Sequence, residues 1–524
     1  MEGAAVPLDT AQGRSGAGAA GDQKGLKTNA ITFVSNVVIG VASTAPAYSL
    51  AATLGFVTLT AGVGFAAPAI MLTAFAPMLF IALAYNYMNR ADPDCGTTFS
   101  WVTRAMGPSL GWLGGWAIVV ADIIVMANLA QIAGIYSFRL FDLNAAAANT
   151  LDITIVGVAW IVVMTWICWR GIELSARTQQ FLLGMEFVTL VLFAVVALVT
   201  VYVNHPEIVV GKTHYHSIEP AAAWFAPWNI GLTPLIKGVL LAVFIYWGWD
   251  TCVTVNEETE DAGRAPGRAA VVSTLMLLAI YLVVTTAAQS YGGPGLLSAN
   301  ASDIFSGGLA TSVLGSGLDK LLIIAVLTSA SASTQTTILP TARTTFAMAR
   351  AGAFPRAFAR IHQRYQTPDV STIVMGLLST IWFIAIVNLS TNVLSDSITA
   401  LGFAIAFYYG LTGFACAIYF RRELLKSAKN FFYIGFLPLL GAAMLTFIFV
   451  YAIIEYQNPA NDVSKPIFGI GAPVVIGIGS LLLGVVLMLI AHIPYRQFFS
   501  RKLEVADPAV LRDDYVAPAL GGRG

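Results

Sequence analysis

Three carboxylates sit inside apolar stretches of this chain, where an ionised group is expensive. Asp250 lies in the run Val243 to Glu260, which reads Val-Phe-Ile-Tyr-Trp-Gly-Trp-Asp-Thr-Cys-Val-Thr-Val-Asn-Glu-Glu-Thr-Glu; Glu186 and Asp122 lie in two others. At the centre of a bilayer such a group costs roughly 2.5–3.5 kcal/mol on insertion scales, so each is by default a functional-site candidate. A desolvated carboxylate can carry a proton or pair with an ammonium. For Asp250 the alternative is a helix cap or an interhelical hydrogen bond. Glu186 lies nine residues past Arg177, about 13 Å into the membrane at 1.5 Å per residue. It can bind a proton directly, or join Ser329, Ser333 and Thr337, spaced i, i+4, i+8 on one helical face, as an oxygen ligand for Na⁺. Serines on membrane helices more often bond neighbouring helices than ligate ions, which favours the proton. Asp122 is either a third acid of this kind or a structural one.

The elements that must hold these groups are interrupted helices. The first apolar segment contains Ile39-Gly-Val-Ala-Ser-Thr-Ala-Pro-Ala-Tyr-Ser-Leu50. Pro46 lacks an N–H and clashes with the preceding turn, so a kink or a break is expected there. The sixth segment carries Gly248 beside Asp250 in the middle of its apolar run. Backbone groups freed at such depth are tolerated only where they line a cavity or serve a ligand. Interrupted segments at corresponding places in two halves point to an inverted-repeat architecture with a site at the midplane. Half-helix N-termini there suit a carboxylate, and C-terminal carbonyls suit an ammonium or Na⁺.

Composition agrees with an all-α polytopic membrane protein. Of 524 residues 57% are hydrophobic and 11% charged, and the mean hydropathy is +0.75, well outside the soluble range. Twelve transmembrane segments are expected, at about 29–58, 63–88, 109–138, 152–170, 177–203, 233–256, 268–291, 317–349, 370–388, 394–420, 431–455 and 469–493. Residues 1–27, rich in Gly and Ala, read as a disordered cytoplasmic tail, and 495–524 as a cytoplasmic C-terminal tail. With both termini inside, 23 of the 28 Lys and Arg fall on the cytoplasmic side, as the positive-inside rule asks. The balanced charge, with 28 acidic residues, offers no basic patch for nucleic acid. Cys95, Cys168, Cys252 and Cys416 lack metal-ligand spacing, and no cofactor or metal is expected. Two longer stretches lie outside, 204–232 and 292–316. His205, His214 and His216 in the first read as part of an amphipathic loop lying across the bundle, because no Cys or spaced carboxylate joins them. Inside, 90–108 is expected to form a short interfacial helix.

Several motifs in order resemble a known family. Gly171-Ile-Glu-Leu-Ser-Ala-Arg-Thr-Gln-Gln180, Phe244-Ile-Tyr-Trp-Gly-Trp-Asp250 followed by Glu257-Glu258-Thr259, and Thr341-Ala-Arg-Thr-Thr-Phe-Ala-Met-Ala-Arg-Ala-Gly-Ala-Phe-Pro355 with Thr367-Pro368 are similar to signatures of the amino acid, polyamine and organocation (APC) superfamily. The resemblance covers roughly 29–455. It implies a leucine-transporter-like fold in which 28–430 is the transport core. Two inverted repeats of five helices, 28–203 and 233–420, build that core, and two peripheral helices at 431–494 complete it.

The resemblance also implies roles. Ser43, Thr44, Ala45 and Ala47 line the solute's carboxylate side, although Ser-Thr-Ala-Pro replaces the family's usual Gly-Ser-Gly type of break. Phe244 closes over the solute from outside, Trp247, Gly248 and Asp250 shape the pocket, and Glu186 falls where some proton-coupled members carry a lysine. Arg343, Glu257 and Glu258 are candidates for an inner gate, or else solvated caps. The implied activity is secondary active transport of an amino acid or related amine across the cytoplasmic membrane, driven by protons, with Na⁺ symport or amino acid/polyamine exchange as the alternatives. A membrane-embedded enzyme would want a nucleophile with a His base at depth, and the one histidine in a span, His492, is at its end. A channel would want a polar stripe along several helices.

Overall fold

The structure is a computed structural model that describes residues 24–305, 308–389, 393–459, 466–507 and 511. The two expected tails therefore lie partly outside the described residues, at 1–23, 508–510 and 512–524. Residues 24–27, assigned by sequence to a disordered tail, are placed against the body of the protein, because Lys24 finds two carboxylates there.

Among the described residues, eleven helices are long and apolar enough to cross a membrane, and Leu232–Ile245 is a shorter apolar one. The first span is two half-helices, α1 (Phe33–Ser43) and α2 (Pro46–Leu59). Thr32 caps α1, accepting from Ser35 N–H at 3.3 Å. Pro46 opens α2 at a position where no N–H is needed, and Ala45 before it takes a left-handed conformation with φ 47°. There follow α3 (Ala67–Ala91), α4 (Thr98–Met106), α5 (Pro108–Arg139), α6 (Thr150–Arg170) and α7 (Ile172–Asn204). The short helix expected within 90–108 is α4.

The second half opens with another interrupted element, α8 (Leu232–Ile245) and α9 (Thr251–Thr254). It continues through α10 (Ala265–Ala299), α11 (Leu309–Leu314), α12 (Lys320–Arg350), α13 (Asp369–Leu389) and α14 (Val393–Tyr419). Two further spans, α15 (Leu437–Tyr456) and α16 (Ala472–Ala491), pack on α14. The interior is built where α12 runs along α5 and α7, and where α10 meets α1, α2 and α3. Small residues of α12 such as Ser329, Ala330, Ala332 and Ser333 are buried there and allow close backbone approach. Large apolar side chains on the outer helices, among them Phe181, Val188, Ile373 and Leu482, are exposed, a face suited to hydrocarbon.

Two connections differ from expectation. The 204–232 stretch contains an antiparallel hairpin, β1 (Glu207–Val210) and β2 (Thr213–His216), turned at Gly211 and Lys212. Glu207 bonds His214 Nδ1 at 2.6 Å, so a carboxylate does join the histidines, brought across by the strand pairing. Beyond it Trp224 is buried and stacks on Phe65. The 292–316 stretch is partly helical: α10 continues to Ala299 past a kink at Gly293, and α11 follows.

Candidate functional site

The two interruptions touch. Gly248 has φ +117°, and a Cβ at that position would lie 2.7 Å from the Ser43 carbonyl oxygen, so the contact exists because residue 248 has no side chain. Ser43 Oγ and Thr251 Oγ1 are 2.8 Å apart, tying the end of α1 to the start of α9. Ser333 Oγ on α12 donates to Ser43 O at 2.9 Å. Thr44 Oγ1 turns back to Val41 O at 2.7 Å.

Glu186 reaches this junction from α7. Its Oε1 accepts from Ala47 N–H at 2.6 Å and from Ser329 Oγ at 2.8 Å, and the residue is fully buried. A carboxylate at the first turn of α2 compensates the positive end of that half-helix. Among the described residues its other oxygen, Oε2, has no hydrogen-bond partner.

Asp250 is held by α14: Tyr409 OH donates to Oδ1 at 2.9 Å and Tyr408 OH to Oδ2 at 3.1 Å. Trp247 Nε1 donates in turn to the Tyr408 hydroxyl. Asp122 on α5 accepts from Thr341 Oγ1 of α12. Ser43, Asp122, Gly248, Asp250, Thr337 and Tyr408 line one enclosed cavity of about 10 Å³, room for about one water. Phe244 packs edge-on against Tyr48, with ring centroids 6.4 Å apart. Glu186 therefore sits at the α2 break, while Asp250 and Asp122 share the small chamber beside the α8–α9 break.

Ion pairs, one of them fully buried, gather at the end of the bundle that carries both ends of the described chain. Arg343 reaches Glu258 Oε2 through Nε and Nη2, both at 2.6 Å, with each residue at most 2% exposed. Glu257 does not join them. It accepts from Lys24 Nζ at 2.6 Å and from Cys95 N–H at 2.9 Å, while Lys24 also bonds Asp94 at 2.9 Å. Burial pushes the Glu257 and Glu258 carboxyls up, with Lys24 and Arg343 pulling the other way. Burial opposes ionisation of Asp94 too, but Lys24 and Arg104 outweigh it and hold its carboxyl below the usual range. Ala30 and Ile31 N–H both donate to Glu258 O, and Glu260 N–H returns to Ile31 O, so the segment before α1 is laced to the segment after α9. Ligand atoms of Asp94, Cys95 and Glu257 lie within 4.8 Å of one another, a clustering that sequence spacing did not reveal; the Lys24 ammonium bridges its two carboxylates. At the opposite end a cavity of about 510 Å³ opens among Phe56, Gln131, Tyr136, Arg139 and Asp303, with Arg139 paired to Asp303.

Tyr408, Tyr409 and Lys24 were not among the sequence candidates. Tyrosines in an apolar segment look like packing residues, and a lysine in a polar tail looks solvated.

The model of the amino acid permease family matches residues 28–490. The low-affinity putrescine importer PlaP of Escherichia coli strain K12 is 25% identical over 418 residues, covering 79% of this chain and 86% of its own. The branched-chain amino acid permease BcaP of Lactococcus lactis is 22% identical over 314 residues, 57% of this chain and 65% of its own. The human Asc-type amino acid transporter 1 is 26% identical over 302 residues, 56% and 54%.

Proposed function

The chain belongs to the amino acid permease family, and from that membership we propose that it is a proton-coupled secondary active transporter of an amino acid or related amine in the cytoplasmic membrane. The observation that carries this reading is the contact between the two interrupted spans at Ser43 and Gly248. Non-helical backbone at membrane depth is tolerated only around a cavity or a ligand, and two such breaks facing one another are what a midplane solute site requires. The relatives named above, importers and permeases of amino acids and of putrescine, support a small amine as the solute.

In this reading 28–203 and 233–420 are inverted repeats that move against each other around the site, and α15 and α16 are peripheral. Both termini lie in the cytoplasm in this reading, which the Lys and Arg distribution supports. The Arg343–Glu258 and Lys24–Glu257 pairs then close the inner side, while the 510 Å³ cavity faces out. Phe244 closes the outer side of the central site over Tyr48. Glu186 takes the coupling proton, being buried, polar-contacted at the break and left with one unpartnered oxygen. Sodium held by Glu186, Ser329 and Ser333, or solute exchange, is the second reading.

The test is uptake into proteoliposomes in Na⁺-free buffer with an imposed proton gradient. Accumulation of solute that collapses on adding a protonophore is expected. A requirement for Na⁺, or accumulation indifferent to the protonophore, would overturn proton coupling.

A further inference from the structure

The N–H groups around the first break are all spoken for. Thr44 and Ala45 donate back to Val41 O and Ala42 O, both at 3.1 Å. Pro46 has no N–H. Ala47 donates to Glu186 Oε1 at 2.6 Å and Tyr48 to Ser329 Oγ at 3.2 Å, and Ser49 donates to Ala45 O at 2.7 Å. From Thr44 to Ser49 no backbone donor is left for an incoming anion. A helix N-terminus is otherwise a ready site for a carboxylate. Here that place is filled by a side chain in a short, charge-assisted hydrogen bond.

A solute carboxylate would have to displace this bond and then lie beside a buried acid of its own sign. Both steps are unfavourable. The solute's amine meets the opposite situation. Glu186 Oε2 is buried with no donor among the described residues, and Asp122 and Asp250 line the chamber at the second break. An ammonium brings an N–H donor to Glu186 Oε2 and a charge opposite to that of the chamber's acids, whereas a carboxylate brings only more acceptors.

We infer that Glu186 supplies from within the protein the carboxylate that an amino acid would otherwise bring, so that the transported solute is an amine carrying no carboxylate, diamines included. This rests on the transporter reading above and narrows its substrate class.

The experiment is competition in proteoliposomes between matched pairs that differ only by the carboxylate: lysine and cadaverine, ornithine and putrescine, leucine and 3-methylbutylamine. Within at least the diamine pairs, the amine is expected to bind about tenfold or more tightly than its parent amino acid, as a site with no partner for a polar group rejects it. Glu186→Ala uncovers the Ala47 N–H, and the preference is expected to fall by about tenfold as the carboxylate gains a donor. Parent amino acids that bind as well as their amines overturn this inference and leave the transporter reading intact. A preference that survives unchanged in Glu186→Ala overturns the role given to Glu186. Failure of both members of every pair to bind overturns the inference and the transporter reading together.

Discussion

The Tyr409 hydroxyl donates to Asp250 Oδ1 at 2.9 Å, and the other carboxylate oxygen is taken by the neighbouring Tyr408. Asp250 is thus held from α14, a helix from the end of the second half. Hydrogen bonds to a charged group contribute about 1.5–3 kcal/mol. Tyr409→Phe is therefore expected to raise the KM for transport by roughly tenfold or more, with melting temperature lowered only modestly. Kinetics and thermal melting on the same purified sample check this. A large drop in melting temperature with KM unchanged would make Asp250 a structural anchor.

Gly248→Ala places a Cβ 2.7 Å from the Ser43 carbonyl and does so at φ +117°. Either condition is strained, and together they cost on the order of 1–3 kcal/mol or more. The break must rearrange, so transport should fall to about a tenth or less while some folded protein survives. Gly184→Ala, where nothing lies within 4 Å of the new methyl, is the control and should transport normally. Equal activity of the two variants would remove the Ser43–Gly248 contact from the mechanism.

How these features divide between sequence and structure has a physical pattern. Pro46 and Gly248 were legible because proline and glycine act on their own backbone, and their meaning inside an apolar run does not depend on neighbours. Glu186, Asp250 and Asp122 were legible because a buried charge is costly wherever it sits. Their partners were not. The Glu186–Ala47 bond joins α7 to α2, Asp250–Tyr409 joins the α8–α9 turn to α14, and Lys24–Glu257 joins residues 233 positions apart; each exists only after the helices cross. The β1–β2 hairpin was missed for a related reason, since Glu207 and His214 become neighbours only through strand pairing. The α10 extension past Gly293 was missed because a Gly-Gly-Pro run looks like a stop.

Arg343 and Glu258 form an ion pair with almost no solvent around it. Removing one partner strands the other charge in the interior, at about 3–5 kcal/mol. Glu258→Gln should accordingly lower the melting temperature sharply. The double variant Arg343→Met, Glu258→Leu replaces both charges with apolar groups and should recover most of the loss. If the pair breaks and re-forms in each cycle, the recovered protein will melt normally yet transport poorly, and stopped uptake assays read that difference. Recovery of transport along with stability would reduce the pair to a structural tie.

Asp92 follows α3 and lies beside Arg104, 3.1 Å from its Nε. Burial pushes the Asp92 carboxyl up to about 6, against the pull of Arg104. A carboxyl raised in the folded state binds its proton more tightly there than in the unfolded chain. Its contribution to stability is then fully present below about 3.9, the unfolded value, and is lost as pH rises through about 6. Melting temperatures of the wild type measured from pH 7.5 down to 5 should gain relative to Asp92→Asn by a few degrees, the neutral amide having no such titration. Parallel curves for the two proteins would show that Asp92 does not titrate in this window.

Glu186→Gln separates the proton from the geometry. Glutamine offers a carbonyl oxygen that can still accept from Ala47 N–H and Ser329 Oγ, the two bonds that hold Glu186, but it cannot take up or release a proton. If Glu186 is the coupling group, the variant should retain part of the exchange between preloaded vesicles and medium, because exchange needs no net proton movement. Accumulation driven by an imposed proton gradient should fall to background. Counterflow and gradient-driven uptake measured on one reconstitution give both numbers. Normal accumulation by the glutamine variant would refute the coupling role, and loss of both activities together would mean that the charge itself, and not its titration, supports the α2 break.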